Sequence, residues 1–140
     1  MYLLVLLVVI ALYLLVTTKE PENLKEVKAR YEILRKNIGK YDPKFAPLER
    51  PILITGFGKL FGEVGYNMNK GYEIGLCTDG TANDMFHVLI HELAHSTVKE
   101  YQHNAEFWAN VNELRGLCVE LGIYKEIEQK KDFCGQTIKD

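Results

Sequence analysis

From Tyr2 to Val16 the chain reads YLLVLLVVIALYLLV, without one charged side chain. The hydrophobicity has no period. A helix built from it would be apolar on every side and would offer no solvent-facing stripe. Thr17 and Thr18 extend the run to Lys19. As a helix, Tyr2 to Thr18 would measure roughly 26 Å, just short of a typical hydrocarbon core. No small-x-small cleavage site stands out near its end, and no Lys or Arg precedes it. Lys19, Lys25, Lys28, Arg30, Arg35, Lys36 and Lys40 follow it. Residues 1–18 therefore read as a retained transmembrane signal-anchor helix, with a cleaved secretory signal as the alternative. The positive-inside rule places residues 19–140 in the cytoplasm as one domain on a single-pass membrane protein.

Beyond Lys19 the pattern becomes periodic. Leu24, Val27, Tyr31, Leu34 and Ile38 recur at helical spacing, which predicts a helix over 21–38 with Pro21 in its first turn and Gly39 as its stop. The connector YDPKFAPLERP follows. Short apolar segments at 51–55, 62–66 and 71–77 read as strands, and Asn67 to Gly71 as a hairpin turn, so a small antiparallel sheet is expected. Thr81-Ala-Asn-Asp84 resembles a capping box with Asp in place of Glu or Gln. It opens a helix whose core face is Phe86, Leu89, Ile90, Leu93 and Val98. Asn104 is a good N-cap for a further helix with the stripe Phe107, Val111, Leu114, Cys118 and Leu121, ended by Gly122. Residues after Tyr124 read as a polar tail. The fold class is α+β.

Composition narrows the function. Lysine and arginine number 17 against 19 acids, a net charge of −2, and no basic stripe or nucleic-acid-binding signature is visible. The cysteines Cys77, Cys118 and Cys134 are odd in number and form no CxxC pair. At least one thiol stays free in a monomer, which fits a reducing compartment. Cys77 and Cys118 read as small core residues.

The candidate chemistry lies in HELAH, His91 to His95. Histidines four apart on a helix sit one turn apart and roughly 40° apart around the axis, so both imidazoles can reach one ion. Zinc accepts neutral imidazole and at catalytic sites keeps three protein ligands plus water. Glu92 is placed to take a proton from that water and pass it to a leaving amine. The third ligand is expected to be His103, with Glu106 as the alternative. On an unbroken helix His103 would lie about 12 Å along the axis from His95, too far to share an ion. The chain must therefore turn between Lys99 and Gln102, although no Gly or Pro enforces the turn. His87, one turn before His91, reads as a rim residue. Tyr101 is a candidate oxyanion donor that more simply reads as an exposed loop residue, and Phe107 and Trp108 read as core.

HELAH followed by His103-Asn104-Ala105-Glu106-Phe107 resembles the WLM and SprT-like metalloproteases, compact zincins related to the DNA–protein-crosslink proteases. The resemblance covers residues from about 50 to 122. It implies a minimal zincin fold: an N-terminal helix, a small sheet, the HExxH helix and a C-terminal helix. It also implies Zn2+ held by His91, His95 and His103, and hydrolysis of peptide bonds in a protein or peptide substrate with Glu92 as base. It suggests that the strand around Tyr72 to Cys77 binds an extended substrate by strand addition. The chain departs from relatives of this kind. The step from His95 to His103 is two residues longer than in HExxHxxGxxH and lacks its glycine, and no Met follows His103. No counterpart of the crosslink proteases' DNA-binding tails is read in these 140 residues, and the apolar N-terminus reads as an addition. The expectation is a membrane-anchored zinc metallopeptidase. The alternative is a non-catalytic, membrane-tethered zinc protein whose site is closed by a fourth ligand, His87 or Glu106.

Overall fold

The helix expected after the apolar segment forms over Glu22–Asn37 (α2). Leu24, Val27, Tyr31 and Leu34 are buried, as the spacing requires, and Pro21 stands at the cap. A 3-10 turn, Ile38–Lys40, ends it. The connector then coils as a 3-10 segment, Pro43–Glu49, started by the Asp42 side chain, which accepts the Lys44 N–H at 3.0 Å. Phe45 and Leu48 drop from it into the core. The Tyr31 hydroxyl ties the connector to α2 by donating toward the Leu48 and Arg50 carbonyls at 3.0 and 2.9 Å. The structure, a computed structural model, describes residues 1–17 and 19–140.

Three strands follow: Leu53–Phe57 (β1), Gly65–Met68 (β2) and Glu73–Cys77 (β3). Their order is β1-β3-β2. The sheet is mixed, which corrects the antiparallel expectation. β2 and β3 are antiparallel, with Asn67 opposite Ile74. Asn69 and Lys70 both adopt positive φ in the turn between them, the geometry of a tight hairpin. β1 instead lies parallel to β3, with Ile54 opposite Ile74. The chain leaves β1 through the 3-10 turn Lys59–Phe61 and Gly62 in the left-handed region. It crosses the end of the sheet before β2 begins, so strands consecutive in sequence are not neighbours. Ile54, Ile74 and Leu76 are buried. On the opposite face the Tyr66 ring lies over Gly75, where a Cβ would come within 2.2 Å of it.

Ala82–His95 (α3) runs through the middle of the core, with Met85, Phe86, Leu89, Leu93 and Ala94 at 0% exposure. The expected capping box is present. Thr81 Oγ1 accepts the Asp84 N–H at 3.1 Å and Asp84 Oδ2 accepts the Thr81 N–H at 3.2 Å. Ala105–Glu120 (α4) starts at Asn104, whose side chain accepts the Phe107 N–H at 3.0 Å. Gly122, at φ 74°, ends it. The Ile123 and Gly122 N–H groups return to the Cys118 and Val119 carbonyls at 3.0 Å, a Schellman closure.

The C-terminal stretch is no polar tail. Lys131–Phe133 (β4) and Gln136–Ile138 (β5) form a hairpin with Phe133 and Ile138 buried. A disulfide joins Cys134 in its turn to Cys77 at the end of β3. The reading of the cysteines is corrected accordingly. One thiol is free, Cys118, buried and with its pKa pushed up to about 12 by burial. The other two are paired across 57 residues.

The apolar N-terminus is a helix, Tyr2–Thr17 (α1), with its large side chains exposed along its length. It is 16 residues long, about 24 Å at the ordinary helical rise. No described helix is long and apolar enough to cross a membrane. The helix expected over 1–18 is found as a helix over Tyr2–Thr17, and Thr18 lies outside the described residues.

Candidate metal centre

α3 delivers His91 and His95 one turn apart, with ring centroids 5.2 Å from each other. His103 belongs to neither helix. It lies in the segment between the end of α3 and the start of α4, and the chain turns there as the metal reading demands. Without Gly or Pro, the turn is held by side chains. Thr97 Oγ1 donates to the Ala94 carbonyl at 2.7 Å, and Asn110 of α4 donates to that same hydroxyl at 2.8 Å. The β2–β3 hairpin supplies the rest. Asn67 Nδ2 donates to the Glu92 carbonyl at 2.6 Å and to Ser96 Oγ at 3.0 Å, and Lys70 Nζ donates to the Val98 carbonyl at 2.6 Å. Asn67 thus meets a carbonyl of the last turn of α3, and the Lys70 ammonium, also 3.5 Å from the His95 carbonyl, stands at that C-terminal end, where a cation is favoured. Sequence periodicity gave no sign of Asn67, Lys70 or Asn110, because their partners lie in other elements.

The turn returns His103 to α3. Its Nε2 is 3.1 Å from His95 Nε2. The donor nitrogens of His91, His95 and His103 all lie within 4.8 Å of one another, close enough to bind one metal ion. Two imidazole nitrogens on a tetrahedral zinc at ~2.0–2.1 Å are separated by about 3.3 Å, so the donor set fits such an ion. Phe107 is the floor of the site. Its ring centroid is 5.0, 4.5 and 4.9 Å from those of His91, His95 and His103. That packing orients His95, whose Nδ1 is buried without a hydrogen-bond partner among the described residues. Phe107 is core, as expected. Trp108 is not: it is 45% exposed and stands 5.8 Å, ring to ring, from both His91 and His103.

Neither alternative ligand joins the set. Glu106 is exposed and lies near Lys44, and His87 turns its Nδ1 to Asp140 at 2.9 Å. Among the described residues the three histidines are the only such cluster of His, Cys, Asp and Glu, so no fourth protein ligand closes it. Tyr101 is 60% exposed, with the Lys70 ammonium 4.2 Å from its ring centroid. It lines none of the cavities beside the histidines.

Glu92 is buried and lines a cavity of about 310 Å³ together with His91, His103, His87, Val64 and Ile138. Burial, reinforced by Glu63, raises its pKa to about 7. Burial also lowers His91 to about 4, helped by the neighbouring His95 and His103, and lowers His95 for the same leading reason. A lowered pKa keeps these two rings neutral, the form that binds metal. A cation in the site would draw Glu92 back toward its ionised form.

The shift at Glu92 has a testable sign. In metal-free protein the folded state keeps the Glu92 proton up to about pH 7, whereas the unfolded chain releases it near pH ~4.3. Stability contributed by this group should therefore fall as pH rises through that window, on the order of 4 kcal/mol in all. His91 opposes it over much of the same range, because its folded pKa is depressed to about 4 and its contribution to stability rises with pH from there up to ~6.5. The two separate in a comparison with Glu92→Gln. Chemical denaturation of both chelated proteins should show the wild type losing ground to the variant between pH 5 and 7.5. A constant difference would refute the assigned environment.

Comparison with protein-family models, curated proteins and solved structures finds no match for this chain.

Proposed function

We propose that the protein is a zinc metallopeptidase, similar in its chemistry to the WLM and SprT-like enzymes that HELAH resembles. One observation carries the reading. Three imidazoles from α3 and the following turn converge with no fourth protein ligand among the described residues, and a buried carboxylate, Glu92, lines the cavity beside them. A divalent ion held there supplies Lewis acidity, polarising a carbonyl and acidifying water. Glu92 accepts the proton of the attacking water and returns it to the leaving amine. The open donor set argues against the structural alternative, which requires a closed site.

The substrate edge differs from the one the resemblance suggested. β3 is paired on both sides and has no edge to offer. β2 is an edge strand, and Val64, just before it, lines the Glu92 cavity. An extended substrate would add to β2. Membrane association through α1 is part of the proposal, since its exposed apolar surface is costly in water. The Cys77–Cys134 disulfide favours an oxidising compartment for the domain, against the cytoplasmic side indicated by the flanking lysines.

The test is an unbiased cleavage screen with the zinc-loaded full chain against unfolded proteins and peptide mixtures. Cleavage should be abolished by a chelator, restored by zinc and blocked by a peptide hydroxamate. A fully loaded protein that cleaves nothing and binds no hydroxamate would refute the reading.

A further inference from the structure

His87 is the chain's one histidine outside the metal cluster, and its surroundings determine which nitrogen carries its proton. Nδ1 faces Asp140 Oδ1 at 2.9 Å and the Tyr124 hydroxyl at 3.1 Å. The Tyr124 proton is committed elsewhere, because that hydroxyl donates to Asp140 Oδ2 at 2.5 Å. Both partners of Nδ1 are therefore acceptors, and Nδ1 bears the hydrogen. Asp140 is itself held. Oδ2 also accepts the Ile127 N–H at 2.8 Å, Arg115 stands 3.6 Å from Oδ1, and the side chain is 8% exposed. A nearly buried carboxylate thus fixes both the orientation and the tautomer of a ring that is itself 20% exposed.

The other ring nitrogen has no protein partner among the described residues. Nε2 makes no hydrogen bond or ion pair, and it is not among the buried unsatisfied atoms. His87 lines the cavity of about 310 Å³ that contains Glu92 and also an adjoining one of about 300 Å³ walled by Trp108, Val111 and Asn112. His91 lines both as well. The ring whose Nε2 lacks a protein partner therefore lines two cavities that it shares with the metal-ligand candidate His91.

We propose that His87 is a substrate-contacting residue whose Nε2 accepts a hydrogen bond from a main-chain N–H of the bound peptide, with Asp140 and Tyr124 as its positioning residues. The assignment rests on the peptidase reading. It gives His87 a role distinct from metal binding, and it explains why the C-terminal segment is drawn against α3. A neutral hydrogen bond of this kind is worth about tenfold in affinity.

The test has two readouts. First, imidazole nitrogen NMR of the metal-free full chain should show His87 protonated at Nδ1 and bare at Nε2, with that pattern lost in Asp140→Asn. A ring protonated only at Nε2 would overturn the proposal. Second, on a peptide that the wild-type protein cleaves, His87→Phe should raise KM about tenfold with zinc content unchanged. His87→Gln, which offers an acceptor oxygen in a similar place, should recover most of that loss. An unchanged KM in His87→Phe, or equal losses in both variants, would overturn the assignment and leave the peptidase reading intact. Absence of cleavage by the wild-type protein would overturn both.

Discussion

Glu92→Gln protein should bind zinc as the wild type does and cleave its substrates about 1,000-fold more slowly. The expected size is that of removing a general base from a hydrolytic step. The substitution keeps the shape of the side chain and removes only its ability to hold and release a proton. Glu92 is buried, and its environment already favours the neutral form in metal-free protein, so the amide is accommodated where the protonated acid was. The fold should therefore be at least as stable as the wild type at neutral pH. Metal content by atomic spectroscopy and initial cleavage rates decide the matter. A variant that retains both zinc and wild-type rates would remove Glu92 from the chemistry. One that loses zinc would make it a ligand.

His103→Ala should weaken zinc binding by at least about 100-fold, the upper range seen when groups supporting a metal ligand are lost. Glu106→Gln should leave affinity unchanged. The contrast follows from the turn between α3 and α4. It places His103 Nε2 3.1 Å from His95 Nε2 and leaves Glu106 exposed. Competition against a chromophoric chelator measures both. A larger loss in Glu106→Gln than in His103→Ala would show that the segment 99–104 takes a different course when metal is bound.

The site was more legible than the sheet. HELAH sits on a helix whose start is marked by Thr81 and Asp84, and rigid helical geometry converts the spacing of His91 and His95 into proximity. The same geometry required the chain to turn before His103, and Asn104 marked where the next helix begins. What the sequence could not show was what holds that turn, because Asn67, Lys70 and Asn110 act on it from other elements. Strand partners were hidden for a related reason. The alternation of short strands tells which face is buried but not which neighbour pairs, so the parallel match of β1 with β3 was out of reach. Cys77 and Cys134 carried no spacing signature. Asp140, in a stretch rich in charge, looked solvated, whereas the structure buries its carboxylate among Tyr124, His87 and the Ile127 N–H.

The Cys77–Cys134 bond encloses all of α3, the turn bearing His103 and α4 within one covalent ring. A protein with the proposed peptidase activity is exposed to its own kind of attack, and the exposed residues Lys99 to His103 are the obvious place for a nick. Severing the backbone there would not release a fragment, because the two pieces would stay linked through sulfur. Self-clipping in this protein would leave its apparent mass unchanged on a non-reducing gel and become visible only after reduction.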